Sequence, residues 1–203
     1  MKRKGKLVGI CLLISAVCFL VGLLRDRAVL NTQLIRLHVV ANSDADADQL
    51  VKLRVRDAVM DSIRQDLAGI ADVESAKAYL QENLPKIRKI ADLALETAGF
   101  SEKTSVTLCR ESFDTRHYDT FSLPAGIYES LRIVIGEGAG RNWWCVAFPT
   151  LCIPASGAGF REAAQTGGFS EALTDTLQNG TDCEIRFFLL DALGNLERKL
   201  FPE

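Results

Sequence analysis

The spacing of hydrophobic positions divides the chain into an apolar N-terminal segment, a helical part and a part rich in short strands. Residues 7–24 read LVGICLLISAVCFLVGLL and contain no charged side chain. As a helix this segment is roughly 27 Å long, which is just enough to cross a bilayer. The alternation in residues 34–41, LIRLHVVA, then predicts a strand. Its inward positions are Ile35, Leu37, Val39 and Ala41, and its outward positions are Arg36 and His38.

Helical spacing of apolar residues follows this strand. The turn residues 42–44 offer an N-cap for a helix over residues 46–67. A second helix is predicted over residues 72–82. Pro85 predicts a break or a kink, because proline removes a helical hydrogen bond and clashes with the preceding turn. A third helical segment continues to Ala98.

Short alternating runs separated by turn residues dominate the next part of the chain, and they predict an antiparallel meander. The predicted strands are residues 104–110, 116–123, 128–135 and 142–148. Residues 155–168 hold four glycines among small side chains and predict a mobile loop.

The C-terminal part returns to helical spacing. A short helix is predicted over residues 170–177. Thr181 and Glu184 have the spacing of a capping box for a last helix that ends near residue 200. Gly194 disfavours that helix, so a strand over residues 184–190 is the alternative.

Together these elements predict an α+β protein with an N-terminal hydrophobic segment, followed by one domain. In that domain an antiparallel sheet of about four to six strands is packed by three or four helices. Residues 1–30 are then a signal peptide or an N-terminal membrane anchor, and residues 31–203 are a single exported domain.

The charge distribution gives this arrangement a direction across the membrane. The net charge is −2, but residues 1–27 carry six basic groups and one acid, which leaves −7 on the remainder. Basic residues before an apolar segment hold the N-terminus in the cytoplasm, so the body is exported. The acidic body argues against nucleic-acid binding. No small-x-small cleavage site follows the apolar segment, and this favours an uncleaved anchor over a cleaved signal peptide.

Residues 122–152 concentrate the unusual side chains of the protein. Gly136, Gly138 and Gly140 could suggest a phosphate cradle, but a strand follows them where a cradle needs a helix N-terminus. A turn or bulge between strands is the favoured interpretation. Trp143 and Trp144 must point to opposite faces of an extended strand, so one can fill the core while the other covers a partner-binding site. The alternative is that the sheet is covered on both faces and both rings are buried.

The cysteines and histidines supply the other candidate chemistry. Cys145 and Cys152 are the nearest pair for a disulfide in an exported domain, although thiols also pack as small apolar side chains. No Cys-x-x-Cys supports zinc, and no metal or cofactor is predicted. His117 and Cys145 could act as base and nucleophile of a hydrolase, but nothing in the sequence orients the histidine.

A second polar group lies where the first strand meets the first helix of the domain. His38, Asn42, Ser43 and Asp44 could together hold an anion or a partner group there. The alternative is that Asn42 and Ser43 shape the turn while His38 lies on an exposed face.

Two long motifs resemble one family. The run IRLHVVANSDADADQLVKLRVRDAV (residues 35–59) and the run SLPAGIYESLRIVIGEGAGRNWWCVAFPTLC (residues 122–152) resemble the signatures of the stage II sporulation protein R family. The resemblance implies a forespore protein exported into the space between the two sporulation membranes. There, on this resemblance, it activates a membrane-embedded aspartic protease of the mother cell, which processes the precursor of the early mother-cell sigma factor.

The resemblance implies a protein ligand and not an enzyme. Its partners are then the protease and, through residues 7–24 if uncleaved, the membrane. An extracytoplasmic cysteine-type or cell-wall hydrolase is the alternative, and a wall-binding module that stacks a tryptophan on sugars is a third hypothesis.

Overall fold

The computed structural model describes residues 2–149, 157–179 and 185–201. Within them the chain forms six helices and six strands. The helices are α1 (Lys2–Gln33), α2 (Asp46–Ala68), α3 (Val73–Thr97), α4 (Gly157–Thr166), α5 (Glu171–Asn179) and α6 (Ile185–Leu200). The strands are β1 (Ile35–Val40), β2 (Thr104–Phe113), β3 (Arg116–His117), β4 (Ser122–Leu123), β5 (Gly126–Ile135) and β6 (Asn142–Phe148).

The main sheet has four strands in the order β2-β5-β1-β6, and the α+β class is confirmed. Strand β1 pairs parallel with β5 and antiparallel with β6, whereas β2 pairs antiparallel with β5. The sheet is therefore mixed, and the expected antiparallel meander is wrong. Strand β1 has inserted between β5 and β6, a long-range pairing that no turn signal in the sequence specifies.

The glycine-rich connection between β5 and β6 must pass over the end of β1. Gly136 and Gly138 adopt positive φ angles of 54° and 65°, which side chains other than glycine rarely adopt. At Gly140 a Cβ atom would lie 2.2 Å from the carbonyl oxygen of Ser43. The glycines are thus a tight turn, as expected, because only glycine lets the two backbones approach this closely.

Helices α2 and α3 cover one face of the sheet and bury the larger hydrophobic core, the α2–α3 core. It contains Ile35, Leu37 and Val39 of β1, as the alternation predicted. Helix α3 runs without interruption through Pro85, so the expected break is wrong. The apolar positions Leu80 and Ile87 on either side of Pro85 are both fully buried, and this packing outweighs the lost hydrogen bond.

The opposite face of the sheet is covered as well, as the alternative in the sequence analysis had it. The end of α1 and helices α4, α5 and α6 bury a second core, the α6-side core. Its aromatic members include Phe113, Tyr128, Phe160 and Phe187. Arg36 and His38, expected on an exposed face, lie under this layer: Arg36 is completely buried.

The C-terminal layer also corrects two local expectations. Residues 157–166 of the expected mobile loop form helix α4, whose Phe160 and Ala164 are buried. Instead of the expected strand over residues 116–123, the chain forms two strands of two residues each, β3 and β4, which pair antiparallel. Helices α5 and α6 confirm the C-terminal helices, while the capping-box residues Thr181 and Glu184 lie outside the described part of the chain.

Gly194 is accommodated inside α6 because that helix crosses very close to the start of β5. A Cβ atom at residue 194 would lie 1.7 Å from the carbonyl oxygen of Ala125. The glycine that counted against a helix is therefore required by the packing of that helix.

Candidate functional site

The two adjacent tryptophans of β6 point to opposite faces of the sheet, as strand geometry predicted. Trp143 is 37% exposed, and the guanidinium of Arg56 from α2 lies 4.4 Å from the centre of its ring. Trp144 is half-buried on the α6 side. Its ring stacks on His38 with centroids 5.7 Å apart, and the Arg116 guanidinium lies 3.5 Å from its centre.

His38 of β1 contacts the buried carboxylate of Glu111, which lies on strand β2. Its Nδ1 lies 3.1 Å from an oxygen of Glu111, and Nε of Arg132 lies 3.4 Å from the same oxygen. Burial raises the pKa of Glu111, but the hydrogen bond from His38, the neighbouring Ser130 hydroxyl and the charges of His38 and Arg132 together outweigh burial and hold that pKa below its usual value. The histidine that was expected on an exposed face therefore lies in a polar cluster with Glu111 and Arg132.

Arg36 precedes His38 by two residues and points to the same face of β1. Its guanidinium lies 4.1 Å from the ring centre of Phe113 and 5.1 Å from that of Tyr128. Nη2 donates a hydrogen bond to the hydroxyl of Tyr118 at 2.8 Å. Sequence reasoning missed this residue, because an arginine in alternation on a strand normally marks the solvated face.

Asn42 and Asp44 connect the loop after β1 to the glycine-rich turn. The side-chain oxygen of Asn42 accepts a hydrogen bond from the backbone of Glu137 at 3.0 Å. Asp44 accepts one from the backbone of Arg141 at 2.7 Å. The amide of Asn42 and the hydroxyl of Ser43 both donate to the buried Asp48. These bonds give both residues a role in shaping the turn, and a role in partner binding stays a prediction.

The N-cap of α2 differs from the expected one. Ala45 occupies the cap position and supplies no side-chain hydrogen bond. The hydroxyl of Ser43 instead accepts from the backbone of Ala45 at 3.1 Å. Residues 42–44 are thus used for the turn and not for capping the helix.

The candidate catalytic pair is not assembled. Cys145 is buried in the α2–α3 core and is disulfide-bonded. His117 is exposed on the α6 side, where its Nδ1 lies 2.8 Å from the hydroxyl of Ser122 and its ring lies against Phe187. A sulfur already in a disulfide cannot act as a thiolate nucleophile. Cys152 lies outside the described residues, so its pairing with Cys145 stays a prediction.

Among residues 2–149, 157–179 and 185–201, no group of three His, Cys, Asp or Glu side chains is placed to hold a metal ion.

Helix α1 continues without a break from the apolar segment into the domain. It is the one helix of the described chain that is long and apolar enough to cross a membrane, a property that N-terminal signal sequences share. Residues 6–21 are exposed, whereas Leu23 and Leu30 are buried in the α6-side core. The boundary expected at residue 30 thus falls within a continuous helix.

The end of α1 is fixed to the domain by buried polar contacts. Arg27 donates to the carbonyl of Ala125 at 2.9 Å, and Asn31 donates to Glu197 at 2.9 Å. A Cβ atom at Gly126 would lie 1.8 Å from the Arg27 guanidinium, so this glycine makes the space that the arginine occupies. Asp26 is ion-paired with Arg186 at the start of α6.

These observations define a class: an α+β protein whose N-terminal apolar helix is continuous with its folded domain and in whose described residues the candidate catalytic pair Cys145 and His117 is not assembled. The chain belongs to the stage II sporulation protein R family, because the profile of that family matches residues 31–157. The match extends from the end of α1 to the first residue of α4.

A curated relative supports this membership. The chain is 42% identical over 124 residues to stage II sporulation protein R of Bacillus subtilis (strain 168). The aligned residues are 61% of this chain and 55% of the relative, so the match spans about half the length of that protein. No solved structure matches the chain.

Proposed function

We propose that this protein is exported from the forespore and activates a membrane-embedded aspartic protease of the mother cell. The activated protease then processes the precursor of the early mother-cell sigma factor. Family membership carries this proposal: the profile match includes β1, the glycine-rich turn and β6, which position the candidate site. On this proposal the chain is a protein ligand, and the peptide-bond chemistry belongs to its receptor.

The position of α1 supports a tethered form of the signal. Charged residues begin directly after the apolar segment, and Asp26 and Arg27 already make buried contacts with the domain. The domain thus begins within about one helical turn of the membrane boundary. A protein held this close to one membrane presents its surface to a partner embedded in, or facing, that membrane.

The hydrolase alternative has less support. A cysteine hydrolase needs a thiolate within hydrogen-bond reach of its base. Here the Cys145 sulfur is in a disulfide in one core, and His117 contacts Ser122 and Phe187 in the other layer. The wall-binding hypothesis needs an open, flat tryptophan face. The exposed Trp143 has Arg56 over its ring, and Trp144 lies between Arg116 and His38.

Co-expression in a non-sporulating bacterium tests the proposal. The chain, the candidate protease and the sigma-factor precursor are produced together, and conversion of the precursor is followed on immunoblots. We expect conversion when all three proteins are present, and little when either the chain or the protease is omitted.

Two controls separate signalling from general proteolysis. A protease whose catalytic aspartates are replaced by asparagine must give no conversion. The chain with Cys145→Ser must retain activity in proportion to the folded protein that remains. Conversion that does not depend on the chain contradicts the proposal.

A further inference from the structure

A buried arginine that has no carboxylate partner among the described residues points to a binding site. Arg36 is 0% exposed, and within residues 2–149, 157–179 and 185–201 its Nε and Nη1 find no hydrogen-bond partner. Its Nη2 donates a hydrogen bond to the neutral hydroxyl of Tyr118. Burying a guanidinium is strongly unfavourable unless an anion or a full set of acceptors compensates its charge. The two aromatic rings beside it offset part of this cost.

Other unsatisfied nitrogen atoms surround the same aromatic side chains. Arg116 lies over Trp144, and its buried Nε also has no partner in the part of the chain that the structure describes. His38 stacks on the same indole and meets Phe113 edge-on at 6.0 Å, and no described residue hydrogen-bonds to its Nε2. Arg36 lies over that Phe113 ring. The three nitrogen-bearing side chains therefore converge on one part of the α6 side of the sheet.

The carboxylate beside this group, that of Glu111, already has partners. Glu111 is shared between His38 and Arg132, both of which approach the same oxygen. The guanidinium groups of Arg36 and Arg116 have no carboxylate within ion-pair distance in the described part of the chain. The group thus carries uncompensated positive charge in a region of low dielectric, where attraction for an anion is weakly screened.

Tyr118 connects the buried charge to the surface. Its hydroxyl accepts a hydrogen bond from Arg36 and keeps its own proton to donate outward. Tyr118, Arg116 and Trp144 are each half-buried, so one side of the group faces solvent. An anion seated there would meet the Tyr118 hydroxyl and the Arg116 guanidinium directly, with Arg36 behind them.

We propose that Arg36, Arg116 and Tyr118, beside Trp144, form a carboxylate-binding site that receives an acidic group from the partner protein. A planar carboxylate matches the paired donors of a guanidinium, and such bonds are roughly twice as strong as neutral ones. The inference rests on the proposed function, since the acidic group is one that the protease presents. On this inference the partner protein is recognised at the face of β6 that carries Trp144.

Two matched variants and one control test the site. Arg36→Met replaces the buried guanidinium with an apolar side chain of similar length, a change that commonly leaves a fold intact. Arg116→Gln removes the half-buried guanidinium and provides a second test of the carboxylate site if Arg36→Met fails to fold. Arg110→Gln is the control, because Arg110 is exposed and shares its face of β2 with Val106 and Leu108 of the α2–α3 core.

The binding measurement uses small probes and the full chain in a neutral detergent. Fluorescence of Trp144 is recorded in a Trp143→Phe background at constant ionic strength. The probes are N-acetylglutamate α-amide for a side-chain carboxylate, N-acetylglycine for a chain terminus, and N-acetylglutamine amide as the neutral match. We expect a saturable change with one or both carboxylates and none with the neutral amide.

The affinity for the carboxylate should fall about tenfold or more in Arg36→Met and Arg116→Gln and stay unchanged in Arg110→Gln. Which of the two carboxylate probes binds more tightly distinguishes an acidic side chain from a chain terminus. An absent response, an equal response to the neutral amide, or a response unchanged in folded Arg36→Met and Arg116→Gln overturns the inference.

The processing assay keeps this inference separate from the proposed function. If the unmodified chain triggers conversion and the arginine variants do so equally well, the carboxylate site is wrong and the function stands. If the unmodified chain binds carboxylates but never triggers conversion, the proposed function is wrong.

Discussion

Nη2 of Arg27 lies 2.6 Å from Oε2 of Glu197, in a salt bridge that joins the end of the apolar N-terminal helix to the last helix of the domain. The two residues are 170 positions apart in sequence. Because the side chains are 8% and 22% exposed, the contact is partly buried and largely shielded from solvent. The membrane-proximal helix is thus a structural part of the domain.

We predict that the mature protein keeps its N-terminal segment. Cleavage near residue 25 would remove Leu23 from the α6-side core. Cleavage nearer residue 35 would also remove the buried Arg27 and Leu30. N-terminal sequencing of the membrane-associated protein should therefore find an uncleaved start. A mature start within residues 25–35 contradicts the anchor interpretation.

Arg27→Ala should destabilise the domain, whereas Arg25→Ala should not. Removing Arg27 breaks the salt bridge to Glu197, which keeps its hydrogen bond from Asn31, and leaves the carbonyl of Ala125 without the Arg27 donor. We expect a loss of about 2–3 kcal/mol. Arg25 is exposed and serves as the matched control. Urea unfolding followed by circular dichroism measures both variants in detergent. Equal stability of the two would show that the end of α1 is not part of the folded unit.

Trp143→Ala and Trp144→Ala should differ in stability. Trp144 loses its contacts with His38 and Arg116, and we expect a loss of about 2 kcal/mol for truncating this half-buried ring. Trp143 loses mainly the Arg56 contact, for which about 0.5–1 kcal/mol is expected. Thermal unfolding gives the comparison.

The processing assay then shows whether either tryptophan contacts the partner. A variant that stays folded but fails to trigger conversion identifies a contact residue. If both variants unfold, or both remain stable and active, the prediction that a tryptophan of β6 binds the partner is wrong.

Acid should destabilise the protein through Glu111. Its pKa in the folded protein lies below the usual value of 4.5. The stabilisation is therefore complete above the pKa of the unfolded chain and is lost as the pH falls through the lower folded pKa. The thermal midpoint should fall as the pH is lowered below about 5, and this fall should be smaller in Glu111→Gln. An identical pH profile in the two proteins would contradict this role.

The sequence pattern located β1 correctly but gave the wrong surroundings for half of its side chains. Alternation shows which residues share a face, and Ile35, Leu37 and Val39 do share the α2–α3 core. It does not show whether the other face meets water. That depends on where α4, α5 and α6 pack. The sequence of an amphipathic helix does not specify which face of a sheet the helix packs against. Arg36 and His38 were therefore expected in solvent.

The β5–β6 region shows the same division between local and long-range information. The opposite orientation of Trp143 and Trp144 follows from strand geometry alone and was predicted. The turn at the glycines was also predicted from local conformation. The reason for the glycines was not, because it depends on β1 inserting between β5 and β6. Helix α3 likewise passes through Pro85 because tertiary packing outweighs a local propensity.

Reconstitution with purified components tests the central claim most directly. The protease and the sigma-factor precursor are placed in liposomes, and the fraction of precursor cleaved is measured with and without the folded full-length chain. The proposed function predicts cleavage that requires both the chain and intact catalytic aspartates in the protease. Equal cleavage without the chain, or none when the folded chain is present with a protease shown to be competent, would contradict it.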